Sequence, residues 1–198
     1  LRVSAPDCVM SAPATLEVSA LALEERQHEL TTKEGWQERV LAAPRAAPPQ
    51  LSHDELVALP SRQRRHYDEA RKVWHANLGP VLTPQMAAIS DELEELVDSN
   101  RQDAGKVKPS AVLDAWPGLG KTTLITSFAA DLYRNDLDLR GPLTPNGHER
   151  VPVAYISLTS STTMRTLNSM LCSFYGHPGA HTGNAQLLAD RATRCIRD

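Results

Sequence analysis

Eight residues, Ala115-Trp-Pro-Gly-Leu-Gly-Lys-Thr122, constrain this 198-residue chain more than any other stretch. They fit the phosphate-loop pattern: a small residue, four variable positions, then Gly-Lys-Ser/Thr. Ala115 stands where the first glycine is usual. The spacing has a chemical reason. Gly118 and Gly120 can take backbone angles closed to other residues, so successive N–H groups turn inward on one anion. Lys121 then reaches the β- and γ-phosphates as a mobile point charge. The Thr122 hydroxyl can coordinate Mg²⁺, and the phosphates meet the positive N-terminus of the following helix. At average residue usage a chance match in a chain of this length has a probability of roughly 1–2%. Ala115, Trp116, Pro117, Gly118, Leu119, Gly120, Lys121, Thr122 and Thr123 are therefore the expected binding set for ATP and Mg²⁺. Lys121 and Thr122 are the expected catalytic residues, and Thr122 is the expected metal ligand.

A loop of this kind belongs between a strand and a helix, and its flanks read that way. Ala111–Ala115 is a short apolar run ahead of it, and Lys121–Tyr133 places Leu124, Ile125, Phe128 and Leu132 on one helical side. Arg134–Arg150 reads as a loop with Gly141-Pro142 and Asn146-Gly147 turn signals. Val151–Leu158 reads as a second strand, and Thr163–Tyr175 and Asn184–Ile196 as helices. Strand and helix in alternation predict an α/β fold, part of a three-layer phosphate-loop NTPase with a parallel sheet, over residues 111–198.

The preceding residues read as helical. Ser52-His-Asp-Glu55 has the form of a capping box. Ser61 is placed to cap a helix over about Arg62–Asn77, with Tyr67, Ala70, Val73, Trp74 and Leu78 as one apolar stripe. Thr83-Pro84 is a cap followed by proline at the first helical position, opening a helix to about Ser99. Asn100–Ser110 is a polar loop. Residues 51–110 thus form a helical lead-in, and residues 1–50 a weakly ordered arm. That arm holds an irregular helical pattern at Thr15–Leu30, a short helix at about Lys33–Ala42 and a Pro-rich linker at Pro44–Pro49.

Charge narrows the function classes. Residues 1–110 hold 17 acidic and 13 basic side chains and residues 111–198 hold 7 and 8, for a net charge of −3. Neither part has the basic excess of a protein that binds nucleic acid by charge alone. No stretch approaches a membrane span, and no secretory leader is recognisable, so a cytoplasmic location is expected. Cys8, Cys172 and Cys195 lack metal-ligand spacing and read as buried or idle thiols in a reducing compartment. Arg62, Arg64, Arg65, Arg71 and Lys72 lie on one predicted helix, but Asp68 and Glu69 interrupt them and a solvated face is the better reading. The Thr159–Thr163 hydroxyl run suits helix capping as well as a ligand, and His177 and His181 read as loop residues.

The segments LDAWPGLGKTTLITSFAADLY and VPVAYISLTSSTTMRTLNSMLCSFYG, followed by NAQLLADRATRCIRD, resemble the AAA+ ATPases of the TniB/TnsC-like group. The resemblance covers roughly residues 60–198. It implies ATP-driven homo-oligomeric assembly on double-stranded DNA that recruits or stimulates a transposase, and it places Val81 and Leu82 near the adenine. The strand ending in a second acidic motif, the sensor residues and the arginine finger of that group have no counterpart here. The chain is accordingly read as a fragment ending before that strand. Its two apolar runs are then expected to lack their shared partner, with poor solubility or partial order as the result. Hydrolysis is expected of the full-length protein. A nucleotide-binding switch without turnover and a small-metabolite phosphate-loop kinase are the competing readings.

Overall fold

The computed structural model describes residues 28–101 and 107–197. These form seven helices: α1 (Lys33–Leu41), α2 (His53–Ala58), α3 (Ser61–Ala76), α4 (Pro84–Ser99), α5 (Lys121–Arg140), α6 (Met164–Phe174) and α7 (Ala185–Arg197). The backbone separates into two compact units. The described part of the first is Pro44–Leu78, with α2 and α3. The second comprises the described residues of Arg26–Ala43 and Gly79–Asp198 and holds the other five helices. The helical pattern expected at Thr15–Leu30 falls almost wholly outside the described residues, as does Cys8.

Short polar side chains start most of these helices, because the first N–H groups of a helix have no intrahelical acceptor. Thr32 accepts from the Gly35 N–H, Thr83 from Met86 and Thr163 from Thr166. Asn184 Oδ1 accepts from the Leu187 N–H at 2.9 Å. Ser52 forms the full capping box: its hydroxyl accepts from the Glu55 N–H, and its own N–H donates to Glu55 Oε2 at 2.8 Å. The α3 start differs from expectation. Ser61 is the first helical residue, and Pro60, which has no side-chain donor or acceptor, stands at the cap position.

Helix α5 runs to Arg140, seven residues beyond the expected end at Tyr133. Local ion pairs extend it: Arg134 with Asp131, three residues apart, and Arg140 with Asp136, four apart at 3.0 Å. Gly141, at φ +78°, stops it and donates its N–H to Leu137 O. The expected Asn146-Gly147 turn does form. The Gly147 N–H donates to Thr144 O at 2.9 Å, and the Thr144 N–H donates to His148 O at 2.8 Å.

The expected parallel sheet is absent, and the fold class is corrected accordingly: among the described residues the structure is helical and contains no strand. One isolated antiparallel bridge joins Leu143 and Glu149. Ala111–Ala115 and Val151–Leu158 make no backbone–backbone hydrogen bond among the described residues. The reason is visible at both runs. Ala111–Ala115 is short and carries Val112 at 91% exposure, so pairing it recovers little burial. Pro152 removes a donor from the second run. A two-stranded parallel ladder is marginal in water without further strands. Burial is instead supplied by helices. Val151, Val153, Ala154, Tyr155 and Ile156 pack on a core of Trp36 and Val40 from α1, Tyr133 from α5 and Phe174 from α6. Trp36 stacks on Tyr155 with ring centroids 5.8 Å apart and planes 7° from parallel. Apolar character was thus a sound guide to which residues pack, and a poor guide to backbone pairing.

Polar contacts tie α1 to the same unit. Lys33 Nζ lies 2.8 Å from Glu149 Oε2, and Gln37 Nε2 donates to Glu149 Oε1 at 2.8 Å and to Tyr133 Oη at 3.0 Å. Arg134 Nη1 donates to Val40 O at 2.9 Å. In the first unit, Tyr67 of α3 is buried and donates its hydroxyl to Pro49 O at 2.7 Å, while the Arg71 guanidinium lies 5.8 Å from its ring centroid. Among the described residues no helix is long and apolar enough to cross a membrane.

Candidate functional site

The phosphate-loop residues come together at one place, the N-terminal end of α5. Gly118 and Gly120 have φ of +83° and +78°, in the left-handed region that favours glycine. Gly120 is the N-cap of α5, and its carbonyl accepts the first intrahelical bond, from the Leu124 N–H at 2.8 Å. The amides of Lys121, Thr122 and Thr123 therefore precede the helical ladder, at the positive end of a 20-residue helix. Thr122 and Thr123 are exposed there. Their carbonyls both accept from Thr126 Oγ1, at 2.7 and 3.2 Å, which stiffens the first turn.

Lys121 does not extend into solvent. Its ammonium folds back over its own loop and donates to Ala115 O and, at 3.0 Å, to Trp116 O. Those two carbonyls hold the charge against the loop's own main chain, where it can exchange them for anionic oxygens. A Cβ at Gly118 would have nothing within 4 Å, so the loop is open on that side. Trp116 and Leu119 project outward, Trp116 at 82% exposure. Pro117 is exposed, and Ala115 is half-buried beneath the lysine.

This geometry fits a phosphate chain. It offers helix-terminal amides with no acceptor among the described residues, one ammonium and open space, without a carboxylate among the loop residues themselves. It also fits Mg²⁺ in the form in which that ion usually accompanies a nucleotide, bound by few protein groups and several phosphate and water oxygens. Among the described residues no group of three or more His, Cys, Asp and Glu side chains could hold a metal alone. Thr122 is the loop hydroxyl that would serve.

One neighbour was not legible in the sequence. Met86, in the first turn of α4, places its Cε 3.0 Å from where a Cβ on Gly120 would stand. The Thr83-Pro84 signal located the start of α4, but nothing in its spacing placed that start beside the loop. The adenine-side expectation divides in two. Both residues are exposed, Val81 at 87% and Leu82 at 48%, and Leu82 also lines a cavity of about 190 Å³ between α4 and α5, together with Ser90, Val97, Phe128 and Leu132. The Thr159–Thr163 run closes on itself. Thr159 N–H donates to Thr162 Oγ1 at 2.9 Å, and Thr163 caps α6. His177 Nδ1 accepts from the Gly179 N–H, and His181 Nδ1 lies 3.2 Å from Ser169 Oγ, so both histidines serve the loop between α6 and α7.

Comparison with known proteins gives no matching family model, no matching curated protein and no matching solved structure.

Proposed function

We propose that this chain binds ATP with Mg²⁺ through Ala115–Thr123. The observation that carries the reading is the Lys121 ammonium folded over a loop whose Gly118 and Gly120 are both left-handed, at the N-terminus of α5. In the bound state Lys121 would exchange the Ala115 and Trp116 carbonyls for phosphate oxygens, while the helix-terminal amides take up further oxygens. Mg²⁺, when bound with the nucleotide, neutralises phosphate charge, and Thr122 is its protein ligand. Trp116 reports on the event because it stands on the loop. Saturable uptake of a fluorescent adenine nucleotide in the presence of Mg²⁺, lost in Lys121→Ala with an unchanged far-UV CD spectrum, is the expected result. Uptake that survives Lys121→Ala overturns the assignment.

The wider role rests on the sequence resemblance alone. We propose a cytoplasmic protein in which ATP binding, and hydrolysis in the full-length form, drives homo-oligomeric assembly on double-stranded DNA and recruits a transposase. A nucleotide switch without turnover is the competing reading. DNA retention that requires a non-hydrolysable ATP analogue supports the assembly role, and retention independent of nucleotide removes it.

A further inference from the structure

Cys172 and Cys195 read in the sequence as idle thiols, 23 positions apart with no shared pattern. The fold brings them together. Cys172 lies in α6, fully buried, with its thiol directed at Leu188 O of α7 at 3.7 Å. It packs with Leu171, Ala180 and Ala192. On α7, Leu188, Ala192 and Cys195 follow the i, i+4, i+7 spacing that puts three side chains on one stripe, and the first two of them are buried against α6. Cys195 continues that stripe by one turn, on the helix that packs against α6.

The two sulfurs differ in access. Cys195 is half-buried and lines a cavity of about 410 Å³ between α7, the C-terminal end of α5 and Arg150–Pro152. Tyr175, Arg150 and Arg197 share that lining. Cys172 has no exposed surface of its own. Desolvation is the first reason its thiol titrates above the ordinary range, with the Cys195 charge second. A small oxidant therefore meets Cys195 first, and Cys172 is the sulfur placed to answer.

We propose that Cys172 and Cys195 form a peroxide-oxidised dithiol site that closes to a reversible disulfide between α6 and α7. In the first step the Cys195 sulfur attacks hydrogen peroxide. An S–O bond forms, the O–O bond breaks, and the departing hydroxide leaves as water with the Cys195 thiol proton, giving a sulfenic acid. In the second step the Cys172 sulfur attacks the Cys195 sulfur. The S–S bond forms, the S–O bond breaks, and a second water leaves with the Cys172 proton. Two electrons pass from the sulfur pair to the peroxide, which ends as two waters. The product ties α6 to α7 covalently and is reopened by a dithiol reductant. A transient bond of this kind is compatible with a reducing compartment.

The test uses the full chain carrying Cys8→Ser, so that two thiols remain. The protein is treated with stoichiometric hydrogen peroxide, quenched with an alkylating agent under denaturing conditions, and digested with trypsin. The expected result is joint loss of both alkylatable thiols and a mass lower by two hydrogens. Peptide Thr166–Arg191 is found linked to Cys195–Arg197, and both peptides are recovered after dithiothreitol. In Cys172→Ser the Cys195 sulfenic acid should persist and be trapped by dimedone. In Cys195→Ser, which leaves the buried sulfur in place, Cys172 should stay alkylatable after the same exposure. Oxygen adducts on Cys195 beside an unreacted Cys172, disulfide-linked dimers, or a crosslink that appears only in denaturant would each overturn the proposal.

Discussion

Lys33 and Glu149, 116 positions apart, close an ion pair with 2.8 Å between Nζ and Oε2. Through it, and through Gln37, α1 is held to the turn that follows α5. The Lys33 hydrogen bond, followed by that of Gln37, holds the Glu149 carboxyl below its ordinary value of 4.5. The same hydrogen bond raises Lys33 above 10.5 against the opposing effect of its partial burial.

The signs are opposite at the two ends of the pH scale. The depressed carboxyl contributes stability above pH 4.5 that is lost as pH falls through its folded value. The raised ammonium contributes stability below pH 10.5 that is lost as pH rises through its folded value. Glu149 is half-exposed, so solvent screening limits the pair to about 0.5–1 kcal/mol. Glu149→Gln should lower the unfolding free energy measured in urea by that amount at pH 7, and by less at pH 3. A deficit of the same size at both pH values would show that charge is not the cause.

The phosphate-loop glycines make a matched pair. Gly118→Ala places a Cβ in open space at φ +83°, so backbone strain is its only cost, about 1–2 kcal/mol. Gly120→Ala at φ +78° adds a 3.0 Å approach to the Met86 methyl, the far end of a flexible side chain. The two variants should therefore lose similar stability in thermal unfolding, and Met86→Ala should not rescue Gly120→Ala. Rescue would locate the cost in the contact.

Tryptophan emission offers a direct reading of nucleotide binding. Trp116 stands on the loop at 82% exposure, whereas Trp36 is fully buried in the core. MgATP should change the emission and acrylamide quenching of the Trp116 component alone, and Trp116→Phe should erase the change. Lys121→Ala removes the ammonium that meets the phosphate oxygens, so it should abolish the saturable change in the same titration.

Core and loop aromatics should separate cleanly by stability. Phe174 is buried against Trp36, Val40 and Tyr133, so Phe174→Ala should cost about 3–5 kcal/mol in chemical denaturation. Trp116→Ala, with no core contact to lose, should stay within about 0.5 kcal/mol of the parent.

Local chemistry was legible in the sequence wherever a side chain acts on its own neighbourhood. The Ser52–Glu55 box, the Thr83-Pro84 start and the Asn146-Gly147 turn all form at the expected residues. The left-handed glycines beside Lys121 also follow from composition at fixed spacing. What failed was inference across distance. Alternating apolar runs and helices suggested a sheet, but pairing depends on a neighbouring backbone, and Trp36 and Val40 from α1 cover Val151–Ile156 instead. The same non-locality hid the Met86 approach to Gly120 and the meeting of Cys172 with Cys195. The overlong α5 is the intermediate case: Asp131 with Arg134 and Asp136 with Arg140 have helical i+3 and i+4 spacing, but Arg134–Arg150 reads as a loop on its turn signals.

Val151–Leu158 is anchored by its side chains while its main chain has no ladder partner among the described residues. Two probes should therefore describe the same eight residues in contrary ways. Tyr155 should behave in near-ultraviolet spectra as a fixed ring stacked on an indole, yet the peptide groups beside it should trade their hydrogens for deuterium almost as quickly as those of an unfolded peptide. Immobility of this segment comes from the side chains it packs on the core, and not from main-chain pairing with another described residue.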